Sequence, residues 1–121
     1  MNNKPFRILQ TIIIPLLAVF IFSCSGDNSN GKLGIEVPIG QGRVSDETPY
    51  IIVGVIEGSP AYNAGVRPDD IIIQIDEVPI RRGMVYDDIY NNLLRGKAGS
   101  SVMLVVKRDG KSMIFKVMRV R

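Results

Sequence analysis

The chain has 121 residues, of which 45% are hydrophobic and 22% charged, so its length and composition allow one small hydrophobic core. It contains no histidine and a single cysteine, which excludes histidine-based acid–base catalysis, Ser-His and Cys-His nucleophile pairs, and metal sites built from histidine or several cysteines. Without Lys4 and Arg7, which lie in the N-terminal segment, 13 basic residues face 12 acidic ones with no basic run, so we expect no nucleic-acid partner.

The N-terminal segment has the three-part layout of a bacterial signal peptide. Lys4 and Arg7 precede an almost wholly apolar stretch over residues 8–22, and the sequence turns polar at Ser25. The continuous apolar run, residues 12–22, is about half of the roughly 20 residues that a helix needs to cross a bilayer. A signal peptide over residues 1–23 is therefore favoured over a retained transmembrane helix.

The tetrapeptide IFSC, which ends at Cys24, resembles the lipobox of bacterial lipoproteins. The resemblance implies a covalent diacylglycerol and an acyl chain such as palmitate on Cys24, and two or more such chains give stable membrane attachment. We expect no other cofactor. An ordinary secretory signal with an incidental cysteine is the alternative. Ser25 after the cysteine favours a lipid anchor in the outer membrane of the cell envelope, facing the periplasm.

The next stretch, residues 24–31, is rich in Gly, Ser and Asn and predicts a flexible tether before a folded domain over residues 32–121. Alternation of Leu33, Ile35 and Val37 predicts a strand with one buried face. A loop over residues 38–49 follows, and the β-branched run 50–56 predicts a strand buried on both faces.

Both ends of a short helix are marked in the segment EGSPAYNAGV. Ser59 suits the N-cap, Pro60 the first helical position, and Gly65 the left-handed position after the last turn.

Residues 71–75 then predict a second buried strand, and Pro79 marks residues 78–80 as an edge strand. Apolar spacing predicts an amphipathic helix over residues 86–94. Strands 102–107 and 112–120 flank an Asp109-Gly110 turn, a strong hairpin signal. These elements predict a mostly β, α+β domain with two helices, in which five to six strands form a partly open barrel.

These motifs together resemble a bacterial PDZ domain, most closely those of C-terminal (tail-specific) processing proteases and high-temperature-requirement proteases. The resemblance covers about residues 32–120 and rests on GSPA at 58–61, AGV at 64–66, DII at 70–72, ID at 75–76, GSSV at 99–102 and RDG at 108–110. Two turn positions depart from the family pattern, since Asp69 and Glu77 stand where glycine is usual. We expect both to alter turn geometry more than ligand choice.

A PDZ domain binds the C-terminus of a partner chain as an added strand beside a helix. On this resemblance the N–H groups of Leu33, Gly34 and Ile35 would bind the terminal carboxylate. The peptide groove would comprise Leu33, Ile35, Val37, Tyr86, Tyr90 and Leu93 or Leu94. The alternative is that these side chains are ordinary core residues, and that Lys32 is solvated rather than a carboxylate ligand.

Although the relatives are proteases, we expect no enzyme here, because the sequence ends at Arg121 and leaves no room for a peptidase domain. No catalytic or metal site is predicted, since adjacent acidic pairs such as Asp87-Asp88 diverge. The favoured hypothesis is a membrane-anchored module that binds C-terminal or extended segments of envelope proteins and delivers them to a separate protease. The alternatives are a scaffold component of an envelope complex and a protease fragment lacking its catalytic domain.

Overall fold

A computed structural model describes residues 31–121. The predicted signal peptide, Cys24 and most of the tether lie outside the described residues. The elements, in chain order, are β1 (Ile35–Glu36), β2 (Gly54–Val55), α1 (Pro60–Ala64), β3 (Ile71–Ile75), β4 (Val78–Pro79), α2 (Tyr86–Ile89) with a π-helical continuation (Tyr90–Leu94), β5 (Ser101–Arg108) and β6 (Lys111–Met118). Within residues 31–121 no helix has both the length and the apolar character needed to span a bilayer.

The strands form two open antiparallel sheets. One contains β1 and β2, and the other has the order β4-β3-β5-β6. Single bridges at Ile51–Ile71 and Lys32–Val120 connect the flanks of the two sheets, which do not close into a barrel. The predicted mostly β fold with two helices is confirmed, but the barrel is open because β1 and β2 are only two residues long.

Alternate residues of β3, β5 and β6 point inward and form the core with the helices and with the segments around β1 and β2. Val102, Leu104 and Val106 on β5 are each at most 1% exposed, as expected for a strand with one face buried. The other buried apolar residues are Leu33, Tyr50, Ile52, Ala61, Val66, Ile72, Ile75, Ile89, Leu94 and Val117.

The short helix α1 forms as its caps predict. The Ser59 hydroxyl accepts a hydrogen bond from the Tyr62 N–H (3.2 Å), and Pro60 occupies the first turn. Gly65 ends the helix in the left-handed conformation, with φ +105°. The buried Ala61 lets α1 lie close to β6.

The prediction that residues 50–56 form a strand buried on both faces is wrong. Tyr50 and Ile52 are buried, but Val53 is 61% and Ile56 58% exposed, and regular pairing is limited to Gly54–Val55. The β-branched run does not face two layers, because its first residues pair with the start of β3 and enter the core, whereas Val53 and Ile56 face solvent.

The two turn positions that depart from the family pattern lie in or beside strained turns. Asp69 has φ +77°, and Asp76, directly before Glu77, has φ +55°. These left-handed values explain why glycine is common at such turns, and Asp is among the few other residues that tolerate them. The Asp109-Gly110 hairpin turn is also left-handed at both residues, with φ values of +51° and +79°, as a type I′ turn requires.

Candidate functional site

The segment that leads into β1 turns sharply at Gly34, whose φ is +90°. A Cβ atom added to Gly34 would overlap the Ser59 side chain, so the loop lies directly against the start of α1. The Leu33 carbonyl accepts a hydrogen bond from the Ala61 N–H (3.0 Å), which fixes the loop from the other side. Within residues 31–121 the N–H groups of Leu33 and Gly34 have no hydrogen-bond partner.

Within the described part of the chain, one edge of β1 has no neighbouring strand. The carbonyls of Gly34 and Glu36 accept hydrogen bonds from the N–H groups of Ile56 and Val53, at 2.8 Å each, and so point toward the β2 segment. Because successive peptide groups of a strand point to opposite edges, the N–H and carbonyl of Ile35 point away from β2. Ile35 therefore offers a donor and an acceptor to any strand that adds alongside β1.

A cavity of about 270 Å³ lies between this open edge and the π-helical turn. Its lining is mainly apolar, and the charged residues in it are two cations, Lys32 and Arg95. The remaining lining residues are Gly31, Leu33, Gly34, Ile35, Val37, Ile56, Tyr90 and Leu94. The described site thus combines free backbone donors, apolar walls and positive charge.

The widened helical turn decides which side chains reach the cavity. The Arg95 N–H bonds the Tyr90 carbonyl (2.9 Å), the i to i+5 spacing of a π-helix. Tyr90 and Leu94 then face the cavity, whereas Leu93 lines a second cleft on the opposite side of the helix. That cleft has a volume of about 300 Å³ and is lined by Val78, Met84, Val85, Asp88, Ile89, Asn92 and Leu93.

Tyr86 also lies away from the cavity. Its hydroxyl donates a hydrogen bond to the Thr48 carbonyl (2.9 Å), and its ring stacks on Tyr50 with the centroids 6.1 Å apart. Asp87 holds the same loop, because its carboxylate accepts from the Gly40 N–H (2.7 Å). Tyr86 and Asp87 thus anchor the loop over residues 38–49 to the start of α2.

Six of the eight predicted site residues share the cavity: Leu33, Gly34, Ile35, Val37, Tyr90 and Leu94. Tyr86 and Leu93 do not line it. The 3.6-residue period used for the prediction does not apply after Ile89, because the π-helical turn shifts the direction of each later side chain. The binding roles of all eight residues stay predictions.

The sequence reasoning missed Arg119, which holds the end of the helix. Its Nε and Nη2 atoms donate to the Leu94 carbonyl at 2.9 and 2.8 Å, and Nη1 donates to the Ser100 hydroxyl at 2.9 Å. Arg119 is only 6% exposed, and the described residues offer it no ion pair. The signal was present, since Arg119 falls on the inward phase of β6 with Val117.

Gly31, placed by the sequence at the end of the tether, packs against the same arginine. Its N–H donates to the Gly96 carbonyl (2.8 Å), and an added Cβ would come within 2.6 Å of the Arg119 Cβ. Arg119 therefore packs together Gly31, at the start of the folded part, and the end of the helix, and both of these contribute to the cavity lining.

Asp69 and Asp70, a second adjacent acidic pair, differ in burial, since Asp69 is exposed and Asp70 is buried. Asp70 is 1% exposed and forms two hydrogen bonds with the Arg108 guanidinium, at 2.8 and 2.7 Å. Burial tends to raise the pKa of Asp70, but the Arg108 hydrogen bonds and the Arg67 N–H together lower it below the usual value. This geometry makes Asp70 a structural ion-pair partner.

Comparison with known proteins agrees with the fold. A family model described as "PDZ domain" matches residues 51–108. The carboxy-terminal processing protease CtpB of Bacillus subtilis is 36% identical over 102 residues, which cover 81% of this chain and 19% of that protein. The chain thus spans about a fifth of that relative.

Two solved structures share the fold. The HtrA-type protease AlgW, solved with a decapeptide, matches with a TM-score of 0.60 and 22% identity, covering 76% of this chain and 29% of that one. The PDZ domain of a carboxy-terminal protease from Vibrio cholerae, solved with a peptide, matches with a TM-score of 0.51 and 23% identity. That match covers 77% of this chain and 95% of the domain.

Proposed function

We propose that this chain, which carries a PDZ domain homologous to those of C-terminal processing and HtrA-type proteases, binds the C-termini of other proteins in its open cavity. The observation that carries the proposal concerns residues 31–121: one edge of β1, beside the helix, has no neighbouring strand, and the N–H groups of Leu33 and Gly34 at its start have no partner. A peptide in extended conformation would add to this edge as a strand, using the donor and acceptor of Ile35.

The charge and the apolar lining of the cavity favour a ligand whose terminal carboxylate lies near the cations and whose last side chain is apolar and enters the cavity. Lys32 and Arg95 supply positive charge at the lining, and the N–H groups of Leu33 and Gly34 supply donors. Charge-assisted hydrogen bonds are stronger than neutral ones. Burying one aliphatic side chain adds about 1.5 to 3 kcal/mol, and with a few main-chain bonds this supports dissociation constants on the order of micromolar.

The test is to titrate the full chain in detergent with peptides that end in Leu, Val or Ala, each as free acid and as C-terminal amide. We expect the acids to bind and the amides to bind at least about tenfold more weakly, because amidation removes the charge-assisted bonds, which are worth about 1.5 to 3 kcal/mol each. Equal binding of acid and amide would contradict carboxylate recognition.

Gly34→Ala supplies the matching variant, and Gly40→Ala its control. Both glycines have left-handed φ values, +90° and +101°, so both substitutions introduce backbone strain. Only at Gly34 does the added Cβ meet another side chain, that of Ser59, whereas nothing lies within 4 Å at Gly40. We expect Gly34→Ala to abolish peptide binding and Gly40→Ala to preserve it, as measured by fluorescence anisotropy.

The proposal includes attachment to the bacterial envelope through acyl chains on Cys24, so that the bound segments belong to envelope proteins and are handed to a separate protease. The lipobox-like sequence before Cys24 supports the anchor. The protease relatives support the delivery role. Mass spectrometry of the N-terminal peptide tests the anchor, since a free Cys24 thiol in the mature chain would exclude it.

A second candidate function is a scaffold that holds a folded partner without reading its terminus. The apolar cleft on the far side of the helix, which Leu93 helps to line, favours this candidate. Leu93→Asp would then abolish a cross-linked complex that Gly34→Ala leaves intact. The reverse pattern would assign the complex to the peptide cavity.

A further inference from the structure

The outward side of the β5–β6 hairpin carries an apolar surface with positive charge. Cross-strand pairs place Met103 beside Lys116, Val105 beside Ile114, and Lys107 beside Ser112. With Met118, which pairs with Ser101, these side chains lie on the face of the sheet opposite the core. We call this surface the outer face and define it as Met103, Val105, Lys107, Ile114, Lys116 and Met118.

The outer face exposes three large apolar side chains. Ile114 is 66%, Met118 53% and Met103 39% exposed. Lys107 and Lys116 are exposed beside them, and no outward position of β5 or β6 carries a carboxylate. The Asp76 carboxylate, which accepts a hydrogen bond from the Met103 N–H (3.0 Å), lies at one margin of this surface. The apolar groups beside Lys107 and Lys116 are complementary to the surface of an anionic phospholipid layer.

The chain enters the folded part beside this surface. Lys32 pairs with Val120, which lies two residues after Met118 at the end of β6. Val120 therefore points to the same side of the sheet as Met118, and it is 43% exposed. Six residues separate Cys24 from Gly31, so even a fully extended connection reaches only about 25 Å. A lipid anchor at Cys24 would therefore keep the outer face within a short distance of the membrane.

We propose that the outer face docks on the anionic phospholipid surface that holds the Cys24 anchor, an inference that rests on the anchoring proposed above. This orientation leaves the peptide cavity free, because none of the residues lining the cavity belongs to the outer face. Leu33 and Leu94 line the cavity and belong to the same core cluster as the inward residues of β5 and β6, so the cavity lies on the core side of this sheet. The membrane thus orients the binding site instead of covering it.

The experiment measures the reactivity of single cysteines in the full-length chain toward a charged, membrane-impermeant maleimide. Ile114→Cys reports on the outer face. Val53→Cys is its matched control, since Val53 is similarly exposed (61%) and directly precedes β2 in the two-stranded sheet. Each chain is purified from bacterial membranes and reconstituted into vesicles of phosphatidylcholine with or without phosphatidylglycerol. The same chains in detergent give the reference rates.

We expect Ile114→Cys to react several-fold more slowly than Val53→Cys in phosphatidylglycerol vesicles and at the same rate in detergent. Lys107→Gln and Lys116→Gln should each lower the docked-to-free ratio about fivefold, the effect of one lysine near an anionic leaflet. Met118→Cys, as a second reporter, should be protected in the same way as Ile114→Cys.

The native Cys24 separates the two proposals. If its thiol is blocked but Ile114→Cys and Val53→Cys react equally in phosphatidylglycerol vesicles, membrane docking is overturned and the anchor stands. If Cys24 is free and the chain is recovered without detergent, both proposals fail. Protection of Ile114→Cys in native membranes but not in vesicles would assign the face to a protein partner and overturn docking on lipid.

Discussion

Tyr50 stacks on Tyr86, the first residue of α2, and the two tyrosines differ in what their hydroxyl groups contact. The Tyr86 hydroxyl donates to the Thr48 carbonyl, whereas the Tyr50 hydroxyl is buried and has no hydrogen-bond partner among residues 31–121. Burial, with Tyr90 and Asp87 nearby, raises the pKa of Tyr50 well above its usual value, so the phenol stays neutral. An unpaired buried hydroxyl costs stability that a phenylalanine ring would not.

We therefore expect Tyr50→Phe to raise the free energy of unfolding by about 1 kcal/mol and Tyr86→Phe to lower it by a similar amount. Urea unfolding of the two variants measures both effects against the unmodified chain. Since each variant keeps its aromatic ring, the stacking contact is unchanged and the difference isolates the hydroxyl groups. Destabilisation by Tyr50→Phe would indicate that the hydroxyl has a partner, such as a bound water.

Among the secondary-structure elements, the helix ending at Leu94 depends on a residue from the far end of the chain. Carbonyl groups at a helix C-terminus carry partial negative charge, and the Arg119 guanidinium binds the Leu94 carbonyl through two of its nitrogens. Arg119 thereby positions Leu94 and Arg95, which both line the cavity beside β1. It is a positioning residue, since it does not itself line that cavity.

Arg119→Lys should lower the free energy of unfolding by about 2 kcal/mol and weaken peptide binding, because an ammonium group cannot reproduce the two-nitrogen contact. Arg121→Lys is the matched control, since Arg121 is exposed and close in sequence. Urea unfolding and peptide titration give the two readouts. Loss of stability with unchanged peptide affinity would show that Arg119 supports the fold without setting the cavity.

For the whole molecule, the Asp70–Arg108 ion pair connects three elements that are distant in sequence. Asp70 directly precedes β3, Arg108 ends β5, and the Arg108 guanidinium also donates to the Gly65 carbonyl at the end of α1 (2.9 Å). Arg108 further lies over the Phe115 ring, 5.5 Å from its centroid. The pair therefore holds α1 against the four-stranded sheet.

Asp70→Asn should lower the free energy of unfolding by about 3 kcal/mol, because it leaves a largely buried arginine without its anion. Asp46→Asn is the control. It breaks the exposed pair with Arg82, in which the side chains are 82% and 71% exposed, and should cost less than about 1 kcal/mol. Urea unfolding at neutral pH measures both.

The same pair gives the stability a predictable pH dependence. Because folding lowers the pKa of Asp70, its stabilising contribution is complete above the unfolded-state pKa of about 3.9 and is lost as the pH falls through the folded-state value. Urea midpoints between about pH 5 and pH 2 should fall more steeply for the unmodified chain than for Asp70→Asn. Parallel curves would exclude Asp70 as the titrating group.

Local signals in the sequence predicted much of this fold. Ser59, Pro60 and Gly65 determine α1 because caps act within one turn, and Asp109-Gly110 determines the hairpin because few residue pairs adopt two left-handed conformations. The strands predicted over residues 102–107 and 112–120 correspond to β5 and β6. The loop around Gly34 was identified as a candidate site from the family resemblance.

Only the tertiary structure decided how these parts meet. Residues 50–56 were predicted to be buried on both faces, but Val53 and Ile56 are exposed. The π-helical turn directs Leu94 rather than Leu93 into the cavity. The tertiary structure also brought Arg119 to the helix end and Arg108 to Asp70, 25 and 38 residues away. Local sequence determines caps, turns and strand phase because they depend on neighbours in the chain, whereas contacts between distant segments depend on how the whole core packs.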